Sequence, residues 1–288
     1  MSRNPRLGIW LMIAAVATFA AQDAFSLYLA TEYNTLMVVM VRYWVFAGFV
    51  ILLALRRPGG FRAAIASRHM PVHVTRALLL VGEICVIVWG YTLIGLIESH
   101  AVFAICPLLI AAFSGLLLGE RIVWQRWLAI GAGMLGVVVI LRPGMVVFSP
   151  AALLPLAAAM MFALYSILTR LTTRDEPTFA SFFWPGVIGA VVMTVAGLPN
   201  WQPVAGADIP LLAIYTALSI FSHWLLLKCY EQIEAARVQP YAYLQIVFVT
   251  LIGLTVYAES LSPLVALGAG IIIAAGLYAL SLERTAKT

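Results

Sequence analysis

Charge is scarce in this chain. Of its 288 residues, 10% are Asp, Glu, Lys or Arg, against about a quarter in a soluble domain. Hydrophobic residues make up 64% and the mean hydropathy is +1.03. That balance excludes an ordinary water-soluble fold and calls for lipid as the solvent. Cysteine is also sparse. Cys85, Cys106 and Cys229 stand far apart in or beside apolar segments, which fits neither a disulfide frame nor a metal site. They read as small buried hydrophobes. The isoelectric point near 9.3 does not imply nucleic acid, because the basic residues sit between apolar runs and form no separate patch. No Gly-x-x-x-x-Gly-Lys-Ser/Thr loop occurs, so ATP is not the direct energy source. His-Glu-x-x-His and Gly-x-Ser-x-Gly are missing as well. No cofactor is expected, and nothing favours an enzyme.

What the chain has instead is apolar runs. A spanning helix needs about 20 mostly apolar residues. Ten runs qualify: 7–29, 36–55, 74–96, 99–118, 125–141, 151–168, 180–198, 209–227, 238–257 and 263–282. The first deserves care. A basic segment at 1–6, the apolar stretch 7–20 and Ala20-Ala21 resemble a cleavable signal. The run resumes after Gln22-Asp23 and reaches Leu29, so it is expected to stay as the first helix. Connections are short, and no soluble domain fits between any pair.

Lys and Arg set the orientation. With the amino terminus inside, fifteen of them fall on the inner side and only Arg142 on the outer, while Arg42 lies within a helix. Both termini are therefore expected in the cytoplasm.

The chain is also written twice, a pattern to be sought before any other. From Glu98 to Glu234 is 136 residues, from Glu120 to Glu259 is 139, and from Gly131 to Gly268 is 137. In each copy a hydrophobic run carrying Pro107 or Pro240 leads to a short turn, Gly119-Glu120-Arg121 or Ala258-Glu259-Ser260. A Gly-Ala-Gly run closes it, at Gly131–Gly133 or Gly268–Gly270. The expected units are 1–144 and 145–288, five helices each. Five is odd, so the second copy enters the membrane from the opposite face. Inverted repeats of this kind recur in secondary transporters, with a site near the midplane between the halves.

Gly119-Glu120, the glycines at 131–136, Ala258-Glu259 and the glycines at 268–276 resemble the EamA-type family of the drug/metabolite transporter superfamily. The resemblance covers essentially the whole chain, and within the family it points to YddG-type bacterial exporters of amino acids. It implies an all-α integral membrane fold, with ten transmembrane helices as two inverted five-helix repeats around a central cavity. Helices 1, 3, 4, 6, 8 and 9 would surround that cavity, with helices 5 and 10 more peripheral.

Ionisable groups inside membrane helices are costly and mark function by default. Asp23 lies at the margin of a polar stripe formed by Thr18, Gln22 and Ser26, each four residues from the next. The stripe either lines a cavity that binds solute or a proton, or bonds helix to helix. Arg42 lies at about the same depth, roughly 9 Å below the outer boundary at 1.5 Å per residue. It can pair with Asp23, snorkel outward, or hold a substrate carboxylate in its forked donors. Glu83, near the middle of the third run, can carry a proton or bond a neighbouring helix. Tyr215, Ser219, Ser222 and His223 share one face of the eighth run. His100 is read as interfacial, at the outer mouth of the fourth.

Trp10, Trp44, Trp124, Trp127 and Trp201 fit an interfacial belt. Trp89, Tyr91, Tyr165 and Trp184 lie deeper, and Tyr241 and Gln245 are four apart on the ninth run. Such groups suit an amphipathic solute, or simply pack. Pro107, Pro185 and Pro240 interrupt three helices and are candidate bending points. The small faces around Ala129-Gly133 and Ala266-Gly270 read as packing seams within the chain or between protomers, which leaves a homodimer open.

The expected function is a secondary transporter of the bacterial inner membrane. It would export amino acids, aromatic or hydrophobic, or related small metabolites by alternating access. Protons could couple through Asp23, Glu83 or His223, or flux could be facilitated diffusion. The alternatives are export of another small organic solute or drug and, last, an intramembrane enzyme built on the same ionisable groups.

Overall fold

The computed structural model describes residues 4–57, 60–119, 123–141, 150–172, 176, 178–232 and 241–285. These residues form helices joined by short connections, with no strand among them. In the first half, α1 is Pro5–Glu32, α2 Thr35–Leu55, α3 the short Gly60–Ile65, and α4 Met70–Ile94. Then come α5 Leu96–Phe103, α6 Cys106–Leu118 and α7 Trp124–Leu141. In the second half, α8 is Leu153–Thr172, α9 Thr178–Gly197, α10 Ile209–Gln232, α11 Leu244–Thr255 and α12 Pro263–Thr285. Among the described residues nine stretches are long and apolar enough to cross a membrane, α5 and α6 counting as the single span Leu96–Leu117, and α11 is a shorter apolar helix. These match the ten runs read from the sequence. The boundary expected at 144 and the bending point Pro240 lie outside the described residues.

Local chemistry sets several helix ends. Asn4 accepts from the Leu7 amide at 3.2 Å, with Pro5 following it in the first turn of α1. Asn34 does the same for Met37 at 2.8 Å, so one residue separates the α1–α2 turn from α2. Between α4 and α5 stands only Gly95, at φ +85°, a left-handed conformation that glycine adopts without strain. The fourth span breaks at Ala104-Ile105, and Pro107 occupies the first turn of α6, where its missing N–H costs nothing. Pro185 instead lies inside α9, which runs on without a break.

The packing shows the duplication. The most extensive helix contacts are α7 with α12, α1 with α10, α2 with α9, and α4 with α8. Exchanging each helix for its counterpart in the other half returns the same set of pairs. Every one of these contacts joins the two halves. The ends of the bundle can be named by the chain: α1 begins and α12 finishes at the terminal end, and the α1–α2 turn lies at the far end.

The α7–α12 seam is built on glycine. A Cβ on Gly136 would stand 2.8 Å from the Gly268 carbonyl oxygen, and one on Gly268 would stand 2.6 Å from that of Gly136. Backbone cannot yield there, so this seam is internal to the chain. Around Gly131 there is open space within 4 Å. Gly136→Leu is therefore expected to destabilise the protein by about 1–3 kcal/mol, the usual range for overpacking, while Gly131→Leu leaves its thermal midpoint in detergent unchanged. Equal midpoints for the two variants would refute the seam.

Candidate functional site

Polar groups from both halves meet at the centre of the bundle. The α1 stripe supplies Gln22, 2% exposed, and Asp23, 9% exposed. Asp23 Oδ2 accepts from Gln245 Nε2 of α11 at 3.2 Å and faces His100 Nε2 of α5 at 3.2 Å. His100 in turn stacks on Tyr91 of α4, with its Nε2 3.0 Å from the Tyr91 hydroxyl. His100 Nε2 thus stands between the Asp23 carboxylate and the Tyr91 hydroxyl. His100 is 5% exposed and buried inside the bundle, not interfacial as its position in the sequence suggests. Nearby, Ser222 Oγ donates to Gln22 Oε1 at 3.4 Å, and His223 Nδ1 lies 2.8 Å from the Ser219 carbonyl. The His223 ring meets Phe19 edge-on at 5.1 Å.

Arg42 is the cation of this centre. It acts on Tyr215, Tyr43 and Asp23, on Glu83 and on His223. The close partner of Asp23 is nevertheless His100, and the ion pair with Arg42 that the sequence left open does not form. Glu83 is 7% exposed and feels the charges of Arg42 and Asp23. Asp23, Arg42, Glu83, His223, Ser219, Gln22 and Gln245 are thus brought together from α1, α2, α4, α10 and α11.

Other residues singled out in the sequence lie elsewhere. Trp89 is 46% exposed on the outer wall. It sits six residues after Glu83, about 120° round the helix at 3.6 residues per turn. Trp184 donates from its ring nitrogen to the Ile65 carbonyl at 3.0 Å and pins α3 to α9. Tyr241 packs with Met12, Val16 and Cys229 near the terminal end. Tyr165 stands between the centre and a second cluster, with the Arg76 guanidinium 5.2 Å from its ring.

That second cluster went unread in the sequence. Arg76, counted there as a flanking charge, is 0% exposed. Its Nη1 donates to His73 Nδ1 at 3.0 Å and to Thr172 Oγ1 at 3.1 Å, and its Nη2 donates to the Ser181 carbonyl at 3.2 Å. Arginine only donates, so His73 Nδ1 accepts and its Nε2–H points to Glu176 Oε2, 2.7 Å away. Glu176 Oε1 also accepts from Ser67 Oγ and from the amides of Arg68 and His69. Burial works against the charged form of Glu176. The His73 ring, the Ser67 hydroxyl and the two amides outweigh it and hold the carboxyl at about 2. The cluster ties the α8–α9 connection of one half to α4 of the other, near the terminal end.

Two further ties cross between the halves at the far end. Tyr33 and Tyr28 donate to Asp208, just before α10, at 2.6 and 3.2 Å. Glu259 accepts from the first two amides of α5, Leu96 at 2.7 Å and Ile97 at 2.9 Å, and so caps that helix. Beside it lies a cavity of about 400 Å³ bordered by Glu98, Glu259, Ser260 and Ser262, away from the polar centre.

The architecture and this centre can be set beside known proteins. The EamA-like transporter family matches the chain twice, over residues 6–142 and 149–281. The S-adenosylmethionine uptake transporter of Rickettsia prowazekii is 27% identical over 96% of this chain and 93% of its own. The riboflavin transporter of Vibrio cholerae is 27% identical over 95% of this chain and 92% of its own. A protein of known crystal structure superposes with a TM-score of 0.64 at 20% identity, over 100% of this chain and 99% of the other, and so shares the fold. Both named relatives are solute transporters. The chain is a multi-pass membrane transporter and belongs to the EamA-like transporter family of the drug/metabolite transporter superfamily.

Proposed function

We propose that the chain carries a small organic solute bearing an α-amino-acid group across the bacterial inner membrane, by alternating access between its two halves. The observation that carries this reading is that the buried Asp23 and Glu83 lie within electrostatic range of Arg42, without pairing with it. Two acidic groups and one basic group complement an ammonium beside a carboxylate. Arginine's fork suits the carboxylate, and Asp23 or Glu83 suits the ammonium. The terminal end is the cytoplasmic one, from the bias of Lys and Arg.

Among the relatives above, none is named for amino-acid export. S-adenosylmethionine is itself an α-amino acid, with a sulfonium and an adenine added. Aromatic amino acids and S-adenosylmethionine thus share the group that this centre fits, whereas riboflavin lacks it. A secondary carrier runs whichever way its gradients point, so export and uptake are both open to the same site.

Purified protein in liposomes is expected to exchange labelled S-adenosylmethionine or labelled phenylalanine, and each should inhibit the other. Transport of riboflavin with neither amino-acid solute carried would overturn the reading. Glu83 is proposed to carry the coupling proton, since it is buried within range of the charges of Arg42 and Asp23. Glu83→Gln should then retain exchange of solute but lose the dependence of net flux on a pH gradient. Flux that still follows the gradient would reduce Glu83 to a structural role.

A further inference from the structure

Among the described residues four buried hydroxyls have no hydrogen-bond partner: Ser26, Tyr43, Tyr215 and Tyr243. Tyr243 packs against Gly276 of α12, whereas Tyr43 and Tyr215 both lie within range of the Arg42 charge. Tyr215 is 0% exposed and Tyr43 2%. Buried hydroxyls are almost always paired, so each orphan calls for an explanation. Tyr215, on α10, packs against Phe25 and Leu29 of α1. Its hydroxyl lies close to the Arg42 guanidinium, yet the two make no hydrogen bond of acceptable geometry. Tyr43 follows Arg42 on α2 and lies within reach of its charge and that of Glu83. The chain's own carboxylates do not fill this gap. Asp23 Oδ2 is taken by His100 and Gln245, and neither Asp23 nor Glu83 forms an ion pair with Arg42.

We infer that Arg42, Tyr215 and Tyr43 together form the seat of the solute's carboxylate, with the two phenols as specificity-determining residues. A carboxylate brings two oxygens and about four acceptor sites. The guanidinium fork can donate to both oxygens, and each phenol adds one O–H. The group that satisfies the Tyr215 and Tyr43 hydroxyls is then the solute itself. Asp23, held from behind through Oδ2, presents its other oxygen toward the ammonium. This inference rests on the α-amino-acid reading above and adds the polarity of the bound solute: carboxylate toward α2 and α10, ammonium toward α1 and α4.

The test uses the full chain in liposomes with two inhibitor pairs: phenylalanine against phenylalaninamide, and S-adenosylmethionine against its decarboxylated form. The wild type should prefer the carboxylate member of each pair. Tyr215→Phe should raise KM for the carboxylate solute by roughly tenfold or more, the scale of a hydrogen bond to a charged group. The maximal rate and the inhibition by phenylalaninamide should stay as they were. Tyr43→Phe should act in the same direction, and the double variant should lose most of the preference. Because each change deletes only an unpaired oxygen, thermal midpoints without solute should hold or rise. The inference fails if both members of a pair weaken equally, or if neither weakens because the hydroxyls are merely hydrated. A wild type that carries neither amino-acid solute would defeat the functional reading first, before any tyrosine variant is compared.

Discussion

Glu176→Ala is expected to lower the stability of the protein by about 3–5 kcal/mol, the range for breaking a buried charge pair by deleting one partner. The carboxylate accepts from His73, Ser67 and two backbone amides, and its side chain is 3% exposed. Without it, the His73 Nε2–H points at nothing, and the chain of bonds reaching Arg76 loses its anion. Thermal unfolding in detergent measures the loss, and an unchanged midpoint would show that the cluster is decorative. The sign of the pH effect follows from the same contacts. The folded carboxyl is held at about 2, below its ordinary 4.5, so the stability it lends is complete above pH 4.5 and drains away as pH falls toward 2. The wild type should weaken over that window. Glu176→Gln should start from a lower midpoint and show a flatter acid limb.

Asp23→Asn is expected to raise KM for an amino-acid solute by about 30-fold or more, as removal of one charge from a buried, bonded pair does in other recognition sites. The amide oxygen of Asn can still accept from Gln245, so the fold should survive. What disappears is the negative charge that faces His100 and that we propose receives the solute's ammonium. Asp23→Glu keeps the charge on a longer stem and should recover part of the affinity. Transport kinetics in liposomes decide the matter, and an unchanged KM in Asp23→Asn would remove Asp23 from the site.

Much of this architecture could be read before any coordinates. Period and length located the spans, because lipid tolerates few alternatives to a long apolar helix. The four-residue spacing of Gln22 and Ser26, and the face shared by Ser219, Ser222 and His223, located two of the converging stripes. What could not be read was which helix meets which. His100 finds Asp23 from 77 residues away, and Glu176 finds His73 from 103. Each alone resembles an interfacial or loop residue. Trp89 shows the converse error: depth along a helix says nothing of the side it faces. Arg76 was counted with its charged neighbours because it stands near a helix start. Only the donors and acceptors arriving from α8 and α9 make its burial affordable.

The pairing of helices across the duplication also bears on how the protein is made. The most extensive contacts of α1, α2, α4 and α7 are with α10, α9, α8 and α12, all of which leave the ribosome later. The first five spans must therefore wait in the bilayer with those contacting faces against lipid. Assembly cannot finish until α12 arrives, so a chain truncated before residue 263 would leave α7 without its mate and invite quality control by membrane proteases.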